Sequence, residues 1–354
     1  MTFPVTHAHT SATSRPLAVA LPDGARVSAH IDGPDDGSAT VVLVHGLSVT
    51  SALWRRHVPL LARQNLRVVR YDQRGHGHST RGTAPLTLNQ LADDLAHLLD
   101  AAAPHGPIAL AGHSMGAMTL MRLTARHSHL APRIRSLVLI SPPHAGLSTR
   151  TGTGPGHALL TRSRNLLAHA CARTPRLLDA FRRLLPATSR WALCPPAPVK
   201  LPAQPLPCRQ GLHTLPTADI AALWHDLTEQ HHDLDPLRAL GQRVRILAGD
   251  RDAHIPADQA RRLAQHLPQA ELQVVPEATH ALPLRHPLLV TEHIAANLPD
   301  PPRVPGATAA PKGHTARVED TAPSAGAPGP PQPIGAKPPA SPPSRQASAT
   351  VRQR

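Results

Sequence analysis

Aromatic side chains are nearly missing from these 354 residues, which hold two Phe, one Tyr and three Trp. A platform for single-stranded nucleic acid stacks bases on such rings, so that function is not expected, nor is an aromatic-lined pocket. The core must be built from Leu, Val, Ile and Ala. Cysteine is scarce as well. Cys171, Cys194 and Cys208 are an odd, irregularly spaced set, which argues against a disulfide framework and contains no C-x-x-C metal pattern. No run approaches the ~18 apolar residues of a membrane-spanning helix. Residues 1–14 lack a positive cluster ahead of an apolar stretch, so they do not read as a secretory signal. A soluble chain in a reducing, cytoplasmic setting is the expectation that follows, with no membrane span.

Acidic residues are missing from two stretches in particular. Residues 144–216 carry ten Lys or Arg against the single acid Asp179, and residues 301–354 carry seven against Glu319 and Asp320. These two stretches account for the whole net charge of +14, and the rest of the chain is balanced. A neutral body with a basic insert and a basic tail is read as solvated charge, and no nucleic-acid partner is expected. The 25 histidines would add positive charge below about pH 6.

What the chain does have is a strand–helix rhythm. Residues 15–21 and 26–31 flank the turn signal Pro22-Asp23-Gly24 and predict a hairpin. Residues 39–44 are a continuous run rich in β-branched side chains, and 66–71 (Leu-Arg-Val-Val-Arg-Tyr) read as another, the mark of strands buried on both faces. Helical spacing spans 51–64. A second helix spans 86–101, with Thr87 as N-cap and Leu88, Leu91, Leu95, Leu98 and Leu99 on one side. Further strands are predicted at 107–112, 137–140, 244–248 and 271–275, with helices at 117–126, 256–266 and 287–297. Such alternation means a mostly parallel, twisted sheet of about eight strands with helices on both faces. The rhythm breaks after the sixth strand, where Leu-rich helical pieces and a proline-dense run read as an inserted helical cap. The predicted organisation is a leader at 1–14, a core at 15–143 and 236–298, a cap at 144–235 and a disordered, basic Pro/Ala-rich tail at 299–354.

Chemistry concentrates at Gly112-His113-Ser114-Met115-Gly116. An apolar strand precedes these residues and a helix follows, the setting of a nucleophile elbow. A serine hydroxyl is a poor nucleophile and needs a base, itself oriented by an acid. On such a sheet both partners come from loops at later strand edges, in the order Ser, Asp, His. Asp252 and His280 each lie a few residues beyond a predicted strand and follow Ser114 in that order. Asp250 competes with Asp252 and is expected to bond local backbone amides instead. The pair His231-His232 with Asp233 reads as a solvated turn, and no metal or cofactor is expected.

These motifs resemble the α/β-hydrolase family. Residues 248–256, Ala-Gly-Asp-Arg-Asp-Ala-His-Ile-Pro, look like its acid loop, and Thr279-His280-Ala281-Leu282-Pro283 like its histidine loop. Val42-Leu43-Val44-His45-Gly46-Leu47 resembles its oxyanion-hole strand. The run Tyr71-Asp72-Gln73-Arg74-Gly75-His76-Gly77 resembles the loop after its next strand. The resemblance implies a capped, esterase- or lipase-like serine hydrolase. Ser114 would attack an acyl carbonyl, His280 would move the proton, Asp252 would orient His280, and the backbone N–H groups of Leu47 and Met115 would hold the oxyanion. His45, Gly46 and His113 are candidates for the pocket wall. An Asp at the elbow would have meant dehalogenase or epoxide-hydrolase chemistry, which Ser114 argues against. The expected function is cleavage of a carboxylic ester or related acyl bond in a small to medium substrate. The alternatives are cofactor-free haloperoxidase or perhydrolase, C–C hydrolase or acyltransferase chemistry on the same triad, and a non-catalytic ligand-binding homologue. Oligomeric state is left open.

Overall fold

The computed structural model describes residues 14–144, 215–229 and 233–298. Strands β1 (Arg15–Ala20) and β2 (Arg26–Asp32) form the hairpin predicted around Gly24, whose φ of +82° suits glycine at a turn. They are followed by β3 (Thr40–Val44), β4 (Arg67–Asp72), β5 (Ile108–His113), β6 (Ile134–Ile140), β7 (Val244–Gly249) and β8 (Glu271–Val275). All eight belong to one sheet, ordered β1-β2-β4-β3-β5-β6-β7-β8. The two pairings made by β2 are antiparallel, and every pairing from β4 to β8 is parallel.

Apolar runs in the central strands are continuous because both faces are covered. Val42, Val44, Leu110, Leu139 and Ile246 enter one cluster, while Val41, Leu43, Ala111, Val138 and Leu247 enter another. Successive strand residues point to opposite faces, so each strand feeds both cores. The first is closed by α2 (Leu88–Ala102), α3 (Met115–Arg126) and α6 (Ala257–His266), the second by α1 (Val58–Ala62) and α8 (Pro287–Ala295). Helix α2 starts where its sequence predicts, with Thr87 Oγ1 accepting from the N–H of Gln90 at 3.2 Å.

Three local outcomes differ from the sequence reading. The helix expected over 51–64 is instead a 3₁₀ turn, Ser51–Trp54, and the short α1. Pro59 explains the break: it lacks a backbone N–H and is tolerated only in a helix's first turn. Two short helices were not anticipated, α5 (Asp235–Leu240) and α7 (Leu282–Arg285). Leu234, Leu237 and Leu240 pack into the first core. Of the predicted cap, α4 (Thr217–Glu229) is described, while residues 145–214 and 230–232 lie outside the described residues. So do the leader up to residue 13 and the tail from 299. No helix among the described residues is long and apolar enough to cross a membrane.

Candidate active site

The C-terminal ends of the parallel strands collect backbone strain. Ser48 beyond β3, Ser114 beyond β5, Ser141 beyond β6 and Glu277 beyond β8 all have φ between +48° and +59°. Such conformations cost about 1–3 kcal/mol each and persist where surrounding structure enforces them. At Ser114 (φ +54°, ψ −117°) the enforcement is visible. Its N–H donates to the Ile140 carbonyl at 2.9 Å, and its own carbonyl accepts from Ala117 N–H, opening α3. The flanking glycines are required by close approach. A Cβ on Gly112 would lie 2.5 Å from the Gly116 carbonyl oxygen, and one on Gly116 would lie 2.4 Å from that of Val44.

Loops beyond β7 and β8 are laced together. Asp250 N–H donates to Val275 and Arg251 N–H to Ala278, and a Cβ on Gly249 would meet the Ala278 carbonyl at 2.3 Å. This lacing brings His280 to Asp252, with Nδ1 2.7 Å from Oδ2. The other carboxylate oxygen accepts from the N–H groups of His254 (2.8 Å) and Ile255 (2.9 Å). The Asp252 side chain is fully buried and that of His280 is one-fifth exposed. Burial pushes the Asp252 carboxyl upward, but the His280 charge, its hydrogen bond and the two amides outweigh this and hold it at about 2. Asp252 is therefore ionised at neutral pH and can only accept, so Nδ1–H of His280 donates to it. In the neutral ring Nε2 keeps its lone pair. The local amides that Asp250 was expected to bond are taken by Asp252, and Asp250 is exposed.

Leu47 and Met115 flank the elbow. Met115 opens α3, so its N–H has no intrahelical acceptor. Gly46 lets the Leu47 turn press against the elbow, since a Cβ there would lie 3.3 Å from Ser114 Cβ and 3.2 Å from His113 Nδ1. The turn is held from below. His45 donates from Nδ1 to the Gly46 carbonyl (2.8 Å) and accepts at Nε2 from Gln73 N–H (2.9 Å). Gln73 returns a bond to the His45 carbonyl, and Thr119 Oγ1 donates to Gln73 Oε1. His76 donates to the Arg74 carbonyl and accepts from Ser48 N–H. Asp72 accepts from Ser51 and His78 N–H, and buried Arg74 pairs with Asp94 and Asp23. These histidines and carboxylates brace loops. Sequence reasoning missed the roles of Gln73 and Thr119, and placed His254 only as a member of the acid loop. Only His254, two residues after the acid, carried a signal.

Buried, neutral histidines make the fold acid-sensitive. Burial holds His76 and His113 down at about 3 and His57 at about 4, and lowers His45 as well. Protonating His45 would also turn its Nε2 from an acceptor into a donor facing Gln73 N–H. A histidine depressed in the folded state gives its full stabilisation above its unfolded value near 6.5 and loses it as pH falls toward the folded value. At pH 5.5, about one unit below the unfolded value, each of His57, His76 and His113 costs on the order of 1 kcal/mol, or a few kcal/mol together. Urea titrations at pH 7.5 and 5.5 should show a fall of that size, and equal midpoints would contradict it.

Around Leu47 and Met115 lies a third apolar cluster. Met115 and Met118 of α3 and Leu88 of α2 meet Ile220 and Leu223 of α4, with Leu47 packed against them. Helix α4 is pinned there by polar contacts on the same side. Arg81 pairs with Asp219 at 2.9 Å, and Asp226 accepts from Leu88 N–H at 2.6 Å, at the start of α2. Val49 packs into the second core. Among the described residues no group of three or more His, Cys, Asp or Glu side chains is placed to hold a metal.

A doubly wound, mostly parallel sheet with a strained serine at a strand-to-helix turn and a His–Asp pair on two later strand edges defines a class of enzyme scaffolds. The chain belongs within it to the α/β-hydrolase fold family, a family of enzymes, whose model matches residues 39–287. A Caulobacter vibrioides protein named "Putative carbamate hydrolase RutD" is 26% identical over 299 residues, covering 80% of this chain and 98% of that one. A Mycobacterium tuberculosis protein named "Probable oxidoreductase EphD" is 35% identical over 124 residues, covering 34% of this chain and 20% of that one. The chain thus spans about a fifth of the length of that relative. An esterase structure from Exiguobacterium antarcticum superposes with a TM-score of 0.60 at 16% identity, covering 80% of this chain and 98% of that one, a likeness of fold.

Proposed function

We propose that the protein is a serine hydrolase that cleaves a carboxylic ester or related acyl bond of a small to medium substrate through an acyl-enzyme. The observation that carries this reading is the His280–Asp252 pair, 2.7 Å long and buried at the acid end, set at the strand edges that also hold the strained Ser114. Ser114 Oγ attacks the acyl carbon as its proton passes to His280 Nε2. The carbonyl oxygen becomes an oxyanion that the N–H groups of Leu47 and Met115 receive, each donor lowering the barrier by about 3 kcal/mol. The C–O bond to the leaving group then breaks, and the His280 proton goes to that group. Water repeats the sequence against the Ser114 ester, and carboxylic acid departs. Ionised Asp252 stabilises the imidazolium in both halves.

The aliphatic cluster of Leu47, Met115, Met118, Ile220 and Leu223 supports an apolar acyl or alcohol group. Two measurements test the proposal together. A fluorophosphonate probe should label the protein at Ser114, located by peptide mapping, and p-nitrophenyl esters of rising chain length should be turned over. A protein that neither labels nor hydrolyses any ester of the series is not a serine hydrolase.

A further inference from the structure

Next to the elbow, His113 makes a contact that the proposed reaction does not require. It is the last residue of β5 and immediately precedes Ser114. Its Nε2 lies 2.8 Å from the backbone carbonyl of His280, across 167 positions of sequence. Its ring lies 4.7 Å, centroid to centroid, from the His280 ring, tilted by 49°. One side chain thus touches both the main chain and the imidazole of the residue proposed as base. A carbonyl oxygen only accepts, so His113 must carry its proton on Nε2. Its Nδ1 is then a bare lone pair, buried and without a partner among the described residues, at the close approach of Gly46.

Loop geometry explains why such a contact is needed. His280 sits in the connection between β8 and α7, after Glu277 in a strained conformation and Ala278 laced to the neighbouring loop. Asp252 pins the ring at Nδ1, so the remaining freedom of the ring is set by where its main chain sits. A bond on the residue's carbonyl fixes that main chain. His254, whose ring centroid is 5.1 Å from that of His280 at 31°, adds a further face.

We propose that His113 is a positioning residue, whose Nε2–H bond to the His280 carbonyl fixes the imidazole of His280 beside the serine turn. Burial and the neighbouring His280 charge keep the His113 ring neutral down to about pH 3, so the donor tautomer persists through any ordinary assay. The role rests on the serine-hydrolase reading only where turnover is the readout. Held geometry is what converts a nearby base into an effective one, and about 1 Å of misplacement can cost 10²-fold.

Three substitutions separate holding from filling space. His113→Gln carries an amide N–H at nearly the reach of Nε2, His113→Asn falls one bond short, and His113→Phe keeps the ring without the donor. On a p-nitrophenyl ester, Phe and Asn should lower kcat about 10- to 100-fold with KM within about twofold, while Gln stays within about threefold of wild type. A second readout needs no turnover. The Nδ1 proton that His280 shares with Asp252 should give a far-downfield proton resonance in the wild type and in His113→Gln. It should be shifted or broadened away in the Phe and Asn variants. Should His113→Phe fail to fold by circular dichroism, the Gln–Asn contrast carries the same decision. The proposal is overturned if Phe and Asn keep both kcat and the resonance, or if Gln falls as far as Phe. If the wild type neither labels nor turns over esters, the hydrolase reading fails, and the resonance alone decides whether His113 positions His280.

Discussion

Ser114→Ala should lower kcat on a p-nitrophenyl ester by about 10⁶-fold and leave the fold intact. In the proposed mechanism the loss is large because nucleophile, base and acid would act as one unit, so removing the attacking oxygen removes nearly all that the other two contribute. The fold should be indifferent because alanine keeps the Cβ and so inherits the same strained backbone, φ +54° and ψ −117°. The bonds that shape the turn, from Ser114 N–H to Ile140 and from Ala117 N–H to Ser114, use main-chain atoms only. A companion variant separates chemistry from strain. Ser114→Gly should be equally inactive yet more stable by about 1 kcal/mol, because glycine occupies positive φ without penalty. Steady-state rates with urea midpoints decide both points. An alanine variant retaining more than about 1% of kcat would show that another group attacks. A glycine variant less stable than wild type would show that the strain relieved is smaller than glycine's own entropic cost.

Period and spacing made much of this molecule legible. Strands buried on both faces read as unbroken apolar runs such as Val41 to Val44, and α2 announced itself through leucine spacing and the Thr87 cap. The expected order of serine, aspartate and histidine rests on parallel strands presenting all their C-terminal ends at one edge, where Asp252 and His280 do pair. What periodicity could not reach were contacts between segments far apart in sequence. Gln73 reaching the His45 carbonyl and Thr119 reaching Gln73 leave no pattern in their own neighbourhoods. That Asp252, and not Asp250, would also take the local backbone amides was equally invisible, since two carboxylates in one turn differ only in direction. The 51–64 segment misled because its apolar spacing is helical while Pro59 forbids a continuous helix. Short α5 and α7, of six and four residues, hold too few turns to generate a period.

Asp252→Asn should lower kcat about 10⁴-fold with little loss of stability, and the reason lies in which way the amide must face. One Asp252 oxygen accepts from the N–H groups of His254 and Ile255, the other from Nδ1–H of His280. Asparagine has a single oxygen. Turned toward the two amides, that oxygen keeps the loop closed but sets its own NH₂ against His280 Nδ1. The ring must then accept at Nδ1 and carry its proton on Nε2, the nitrogen that should take the proton from Ser114. Turned the other way, the tautomer is right but NH₂ confronts two buried N–H donors, leaving both unsatisfied at about 1–3 kcal/mol each. The first orientation wins, so the variant folds and fails. Lost charge adds to the effect, since ionised Asp252, held at about 2, faces the ring that the proposed attack would turn into an imidazolium. The control is Asp250→Asn, which should stay within about twofold of wild type because Asp250 is exposed. Proton NMR of Asp252→Asn should show the His280 imidazole as the Nε2–H tautomer. A variant keeping the Nδ1–H tautomer, or losing less than about tenfold in kcat, would remove Asp252 from its role.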